Sequence, residues 1–202
     1  MSEEWSMSYL ETIEEASADA DVAALYQRDI ARVGYLPNYS RLFSLHPEAY
    51  VAWRGLIAAI ARPMDERRYE LATVGAANRL RSSYCSLAHG KILADKFYEP
   101  AQVRIMVEDP DAAVLDEVDT LVFELAAQVA DDATSVSEED IEALRRVGLS
   151  DRDIFDVVLA AAARSFFSKV LDATGTLADR AFNDLDPELR EVLTVGRPIE
   201  GT

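Results

Sequence analysis

The sequence predicts an all-α fold, on three observations. Apolar residues recur at three- and four-residue spacings along most of the chain. The segments between them carry helix signals: Asp or Ser at starts, Pro in first turns, Gly at ends. No stretch shows the period-two alternation of a strand, and no glycine-rich phosphate loop is present.

Residues 1–17 are polar and acidic and read as an arm, with Trp5, Tyr9, Leu10 and Ile13 able to lie on a partner surface. Residues 18–202 read as a single all-α domain. The spacing of Val22, Leu25, Tyr26 and Ile30 predicts a helix from about Asp19 to Val33, stopped at Gly34. Pro37 and Asn38 turn the chain into a short helix around 40–45. Pro47 opens the next helix, where its missing N–H costs nothing, and Tyr50, Trp53, Ile57 and Ile60 mark its buried face.

Asp65 caps a helix that carries Glu70 to about Leu80, and Ala72, Ala76 and Ala77 give it a face narrow enough for close approach by another helix. Residues 81–83 break it. Ser82 or Ser83 then starts a helix running to Lys96, with Cys85 in its first turn. Glu99-Pro100 begins a short helix through Val107, and Asp109-Pro110 reads as the start of another, periodic in Leu115, Val118, Val122, Leu125 and Val129. Ser137 with Asp140, and Ser150 with Asp153, form capping boxes. The run 154–170, apolar on several sides, predicts a central helix, and Asp186-Pro187 starts a last one. A faint internal similarity aligns 65–90 with 150–175, which would make the latter a degenerate second repeat with Phe155, Val170 and Thr174 in place of Glu70, Cys85 and His89.

Composition limits the partners. A formal net charge of −17 and a pI near 4.4 repel phosphate backbones and anionic head groups, so neither nucleic acid nor a membrane surface is an expected partner. The longest strictly apolar run, residues 157–163, is far short of a membrane span, and the acidic amino terminus lacks a signal-peptide core; a cytoplasmic location is expected. With one cysteine, no intrachain disulfide can form. Apolar helices with alanine faces predict self-association, most simply a homodimer or a higher homo-oligomer.

The chemistry concentrates in residues 65–90. Cys85 and His89 are four apart, on one face of a helix, placing an imidazole beside a thiol. Glu70, one helix earlier, is within reach of a hairpin that returns its carboxylate to His89. His46, before Pro47, reads as a cap or surface residue. Glu70, Cys85 and His89 are all metal-ligand types, but they fall short of a zinc set, and neither metal nor cofactor is expected.

Glu70, followed by Ser82, Tyr84, Cys85 and His89 with Ala76 and Asn78 between, resembles the signature of the alkylhydroperoxidase D-like, carboxymuconolactone decarboxylase family. That signature has a glutamate, a Cys-x-x-Cys pair and a histidine four residues after the second cysteine. Glu70, Cys85 and His89 match; Ser82 stands where the first cysteine would be. The segment 34–38 and the overall length resemble the family's peroxidase-related subgroup. The resemblance implies that Cys85 attacks a hydroperoxide as a thiolate, with His89 as base, Glu70 orienting it, and Ser82 and Tyr84 secondary. It also implies a sulfenic acid that needs an external thiol reductant, because a hydroxyl at 82 cannot resolve it. Two other readings stay open: a lactone decarboxylase working without cysteine chemistry, with Arg79 or Arg81 as the cation for an anionic substrate, and a non-catalytic helical oligomer.

Overall fold

The computed structural model describes residues 7–109 and 115–202. These residues are helical nearly throughout, and the one β-bridge among them joins Ala178 to Ile199. The helices are α1 (Ala20–Val33), α2 (Asn38–Phe43), α3 (Pro47–Ala61), α4 (Glu66–Arg79), α5 (Ser83–Lys96), α6 (Pro100–Glu108), α7 (Glu117–Asp132), α8 (Glu138–Arg146), α9 (Asp151–Ala173) and α10 (Pro187–Leu193). The all-α expectation holds.

Local chemistry explains most boundaries. The Asp19 carboxylate accepts from the N–H groups of Asp21 and Val22, and Gly34 ends α1 at φ 89°. Asp65 caps α4 through Arg68 N–H. Ser137 with Asp140 and Ser150 with Asp153 close both predicted capping boxes, satisfying donors that a helix start leaves free. The start expected at Asp109-Pro110 differs: Asp109 ends α6, Pro110 lies outside the described residues, and α7 begins after Asp116, which caps it through Asp119 N–H. A short carboxylate followed by apolar periodicity occurs at both places, and the sequence pattern alone does not separate them.

The most buried element is α4, whose residues Leu71, Ala72, Thr73, Val74, Ala76 and Ala77 are fully covered. It packs against α5, α7 and α9. Gly75 explains the closest approach: a Cβ there would stand 2.5 Å from the Phe123 carbonyl oxygen of α7. The helix expected at the centre, α9, is central on one side only. Val157, Ala161, Phe167 and Leu171 face the core, while Phe155 and Phe166 stand exposed. Residues 150–175 form one continuous helix after their cap, whereas 65–90 form two helices with a break.

Residues 7–17 lie on their own chain. Tyr9 N–H donates to Thr174 O, Leu177 N–H to Met7 O and Ile13 N–H to Ser44 Oγ, while Arg197 stacks over the Tyr9 ring. Trp5 is outside the described residues. No helix among those described is long and apolar enough to cross a membrane.

Candidate active site

The site is set by the α4–α5 connection. Arg81 adopts a left-handed conformation, φ 57°, unusual for a residue with a Cβ, and turns the chain so that α5 starts at Ser83. The carboxyl-terminal segment clasps this turn: Gly196 N–H donates to Ser83 Oγ at 2.8 Å, and Arg81 donates to Val195 O. Gly196 allows the approach, since a Cβ there would lie 1.9 Å from Arg81 O. Cys85 is thereby fixed as the third residue of α5, where the helix's unsatisfied N–H groups carry partial positive charge.

Cys85 is buried, and two donors reach its sulfur. Ser168 Oγ lies 3.2 Å and Arg164 Nη1 3.5 Å from Sγ, both from α9, one turn apart. Arg164 is itself buried. It makes no ion pair with a carboxylate among the described residues; its other hydrogen bond goes to Tyr69 OH, and its Nε is buried without a partner. Burial works against its charge, but Cys85, Tyr69 and Glu70 outweigh that and raise its proton affinity further. Arg164 and Ser168 are the residues that sequence reasoning missed. The available signal was a lone arginine inside the run VVLAAAARSFF, where a buried cation needs a partner.

Glu70 and His89 meet as the hairpin geometry suggested, with His89 Nδ1 2.5 Å from Glu70 Oε2. In the neutral ring Nδ1–H donates to the carboxylate, which leaves the Nε2 lone pair free. Burial lowers the His89 pKa, Arg164 lowers it further, and Glu70 opposes both. Burial and Arg164 thus favour the neutral imidazole, the form that can accept a proton. His89 makes no hydrogen bond to Cys85; the two line one cavity of about 290 Å³.

Tyr84 also lines this cavity. Its hydroxyl accepts from Tyr39 N–H and donates to Asp179, and burial pushes its pKa well up. Asp179 is buried, and burial raises its pKa against hydrogen bonds from Asn38 N–H, Tyr84 and Tyr35. Ser82 is not among the cavity residues. It is the N-cap of α5, fully buried; its hydroxyl lies toward Asp172 and makes no hydrogen bond of ordinary geometry.

The other expectations resolve by position. His46 is an exposed cap of α3, accepting from Ala49 N–H. Arg79 pairs with Asp131 and Arg81 reaches Val195 O, so neither serves the cavity; Arg32, Arg54 and Arg164 line it instead. Among the described residues, no three His, Cys, Asp or Glu side chains converge as a metal site would require.

No protein-family model matches the chain, and no curated protein matches it in sequence. Its fold has solved counterparts. An uncharacterized peroxidase-related protein with an alkylhydroperoxidase AhpD core, from Ralstonia eutropha JMP134, superimposes with a TM-score of 0.79 at 20% identity, over 88% of this chain and 95% of that one. An uncharacterized peroxidase-related protein from Silicibacter sp. TM1040 does so at 0.80 and 19%, over 91% and 98%. The debrominase Bmp8, in a cysteine-to-alanine variant complexed with 2,3,4-tribromopyrrole, gives 0.72 at 15% identity, over 90% and 95%. The fold is therefore that of the alkylhydroperoxidase D-like proteins.

Proposed function

We propose that a protein with this fold and this sulfur environment is a one-cysteine hydroperoxide reductase that draws its reducing equivalents from an external thiol. The observation that carries the reading is the pair of donors aimed at Cys85 Sγ, one of them a buried guanidinium with no carboxylate partner among the described residues. Such a cation stabilises negative charge on the sulfur it touches, and the thiolate is the nucleophilic form.

In the reaction, His89 accepts the thiol proton at Nε2, with Glu70 holding the ring and stabilising the imidazolium. Sγ attacks the terminal oxygen of ROOH; the S–O bond forms as the O–O bond breaks, giving Cys85–SOH and RO⁻. The imidazolium returns the proton to yield ROH. Two equivalents of an external thiol then reduce the sulfenic acid to the thiol, producing a disulfide and water. Ser82 takes no part in resolution, since a hydroxyl cannot form the disulfide that a second cysteine would. Tyr84 shapes the cavity beside Asp179.

The aromatic lining favours a second reading, in which the same sulfur acts on an aromatic ring; a debrominase of this fold is complexed with a brominated pyrrole. Turnover assays separate the two. Consumption of cumene hydroperoxide with dithiothreitol as reductant, lost in Cys85→Ala, is the expected result. Thiol-dependent bromide release from tribromopyrrole without hydroperoxide turnover would move the assignment to the second reading. Absence of both activities, with Cys85 inert to alkylation in the folded protein, would leave a non-catalytic helical protein.

A further inference from the structure

The charge around the cavity runs opposite to that of the molecule. The chain carries −17, yet the cavity is lined by three arginines, Arg32, Arg54 and Arg164, against one ionisable carboxyl, Asp179, which burial biases toward its neutral form. The arginines are placed differently. Arg164 is buried at the sulfur. The side chains of Arg32 and Arg54 are 50% and 30% exposed and stand toward solvent, sharing a single carboxylate, the fully buried Asp29. That trio retains one net positive charge. Arg54 uses only Nη1, toward Asp29 and Tyr50, so its Nε and Nη2 groups have no partner among the described residues.

Between these ends the wall is aromatic, with Tyr39, Trp53, Tyr69, Tyr84 and Phe167 among its residues. The Trp53 and Phe167 rings stack on each other at 4.2 Å and 14°, and Phe43 stacks on Phe167 from outside the lining at 5.6 Å and 10°, so Trp53 and Phe167 turn ring edges to the cavity. The indole Nε1 of Trp53 is buried without a partner among the described residues. A cavity of about 150 Å³ accommodates benzene, so about 290 Å³ suits a body of one or two rings.

Taking this cavity as the site of the sulfur chemistry proposed above, we infer that its substrate is a small planar aromatic molecule bearing an anionic group. The anion is held by Arg32 and Arg54 at the mouth, the ring lies against Trp53 and Phe167, and the reacting atom points to Cys85. Aromatic rings gain from edge-to-face contact with such a lining, and partly desolvated guanidinium groups select a carboxylate over a hydroxyl.

Calorimetric titration tests this with 2-naphthoate, its neutral analogue 2-naphthylmethanol and its saturated analogue decahydro-2-naphthoate. Both analogues should bind at least about tenfold more weakly than naphthoate. Arg32→Met should weaken naphthoate by a similar factor and leave the alcohol unchanged; Arg54→Met should do the same provided its circular dichroism matches wild type. Equal binding of alcohol and carboxylate, or no naphthoate binding at about 1 mM, would overturn the inference. Titration of Cys85→Ala keeps the two claims separable. Naphthoate binding without hydroperoxide turnover refutes the redox reading alone, and turnover without naphthoate binding refutes the substrate class alone.

Discussion

Arg164→Met removes the one fixed charge in contact with the sulfur while keeping much of the volume. At 3.5 Å, a unit charge pair at an effective dielectric near 20 interacts by about 5 kcal/mol as an upper bound. Removing an attraction of that order should slow a reaction that needs negative charge on the sulfur by at least about tenfold. The assay is the pseudo-first-order rate of Cys85 alkylation by iodoacetamide at pH 7, with circular dichroism to check folding. The Cys85 sulfur can take up a proton when the guanidinium is lost, so Arg164→Met leaves no uncompensated buried charge there and a folded variant is expected. Arg164→Lys, which keeps a charge but loses the planar fork, should fall between the two. A folded Arg164→Met protein that alkylates at the wild-type rate would refute the claim that the guanidinium sets the reactivity of the sulfur.

The remaining expectations concern the proton path, the packing and resolution. Glu70→Gln removes the carboxylate that fixes the His89 tautomer and should lower kcat by at least about tenfold with little change in KM, read from steady-state hydroperoxide kinetics. Burial holds the His89 pKa below its usual value, so the unfolded chain binds more protons than the folded one between that lowered value and about 6.5. The His89 contribution to stability is thus fully present above pH 6.5 and declines as pH falls below it. Denaturant melts of wild type and His89→Gln should show their stability difference shrinking across that window; a constant difference would contradict the assignment. Gly75→Ala drives a methyl into the Phe123 carbonyl and should cost about 1–3 kcal/mol in urea unfolding. Ser82→Cys restores a Cys-x-x-Cys pair at the cap and third position of α5 and should introduce a disulfide after peroxide treatment, detected as a mass loss of two hydrogens.

Where a single residue type forces a local outcome, the sequence was sufficient. Asp19, Asp65, Ser137 and Ser150 cap as their chemistry dictates, and Gly34 adopts the left-handed conformation that stops a helix. The Glu70–His89 contact was also readable, because the break at 81–83 folds α5 back along α4. What depended on distant packing was not readable. Arg164 and Ser168 reach Cys85 from about 80 residues away in sequence, and no local pattern says which side of α9 faces α5. The expectation of a central helix over 154–170 holds on one side only, for a related reason: an apolar run shows that a helix can be covered on all sides, not that it is, and Phe155 and Phe166 remain exposed. The cavity arginines were misassigned to Arg79 and Arg81 because nearness in sequence to Cys85 stood in for nearness in space.

The central claim, that Cys85 is the atom that takes oxygen from the peroxide, has a direct measurement. Protein treated with one equivalent of cumene hydroperoxide in the presence of dimedone, a reagent that captures sulfenic acids, is digested and analysed by mass spectrometry. A single dimedone adduct on Cys85, in proportion to peroxide consumed, is expected, and it should form at least about tenfold more slowly in Arg164→Met at pH 7. Peroxide consumption that leaves Cys85 unmodified, or a readily alkylated Cys85 that consumes no peroxide, would contradict it.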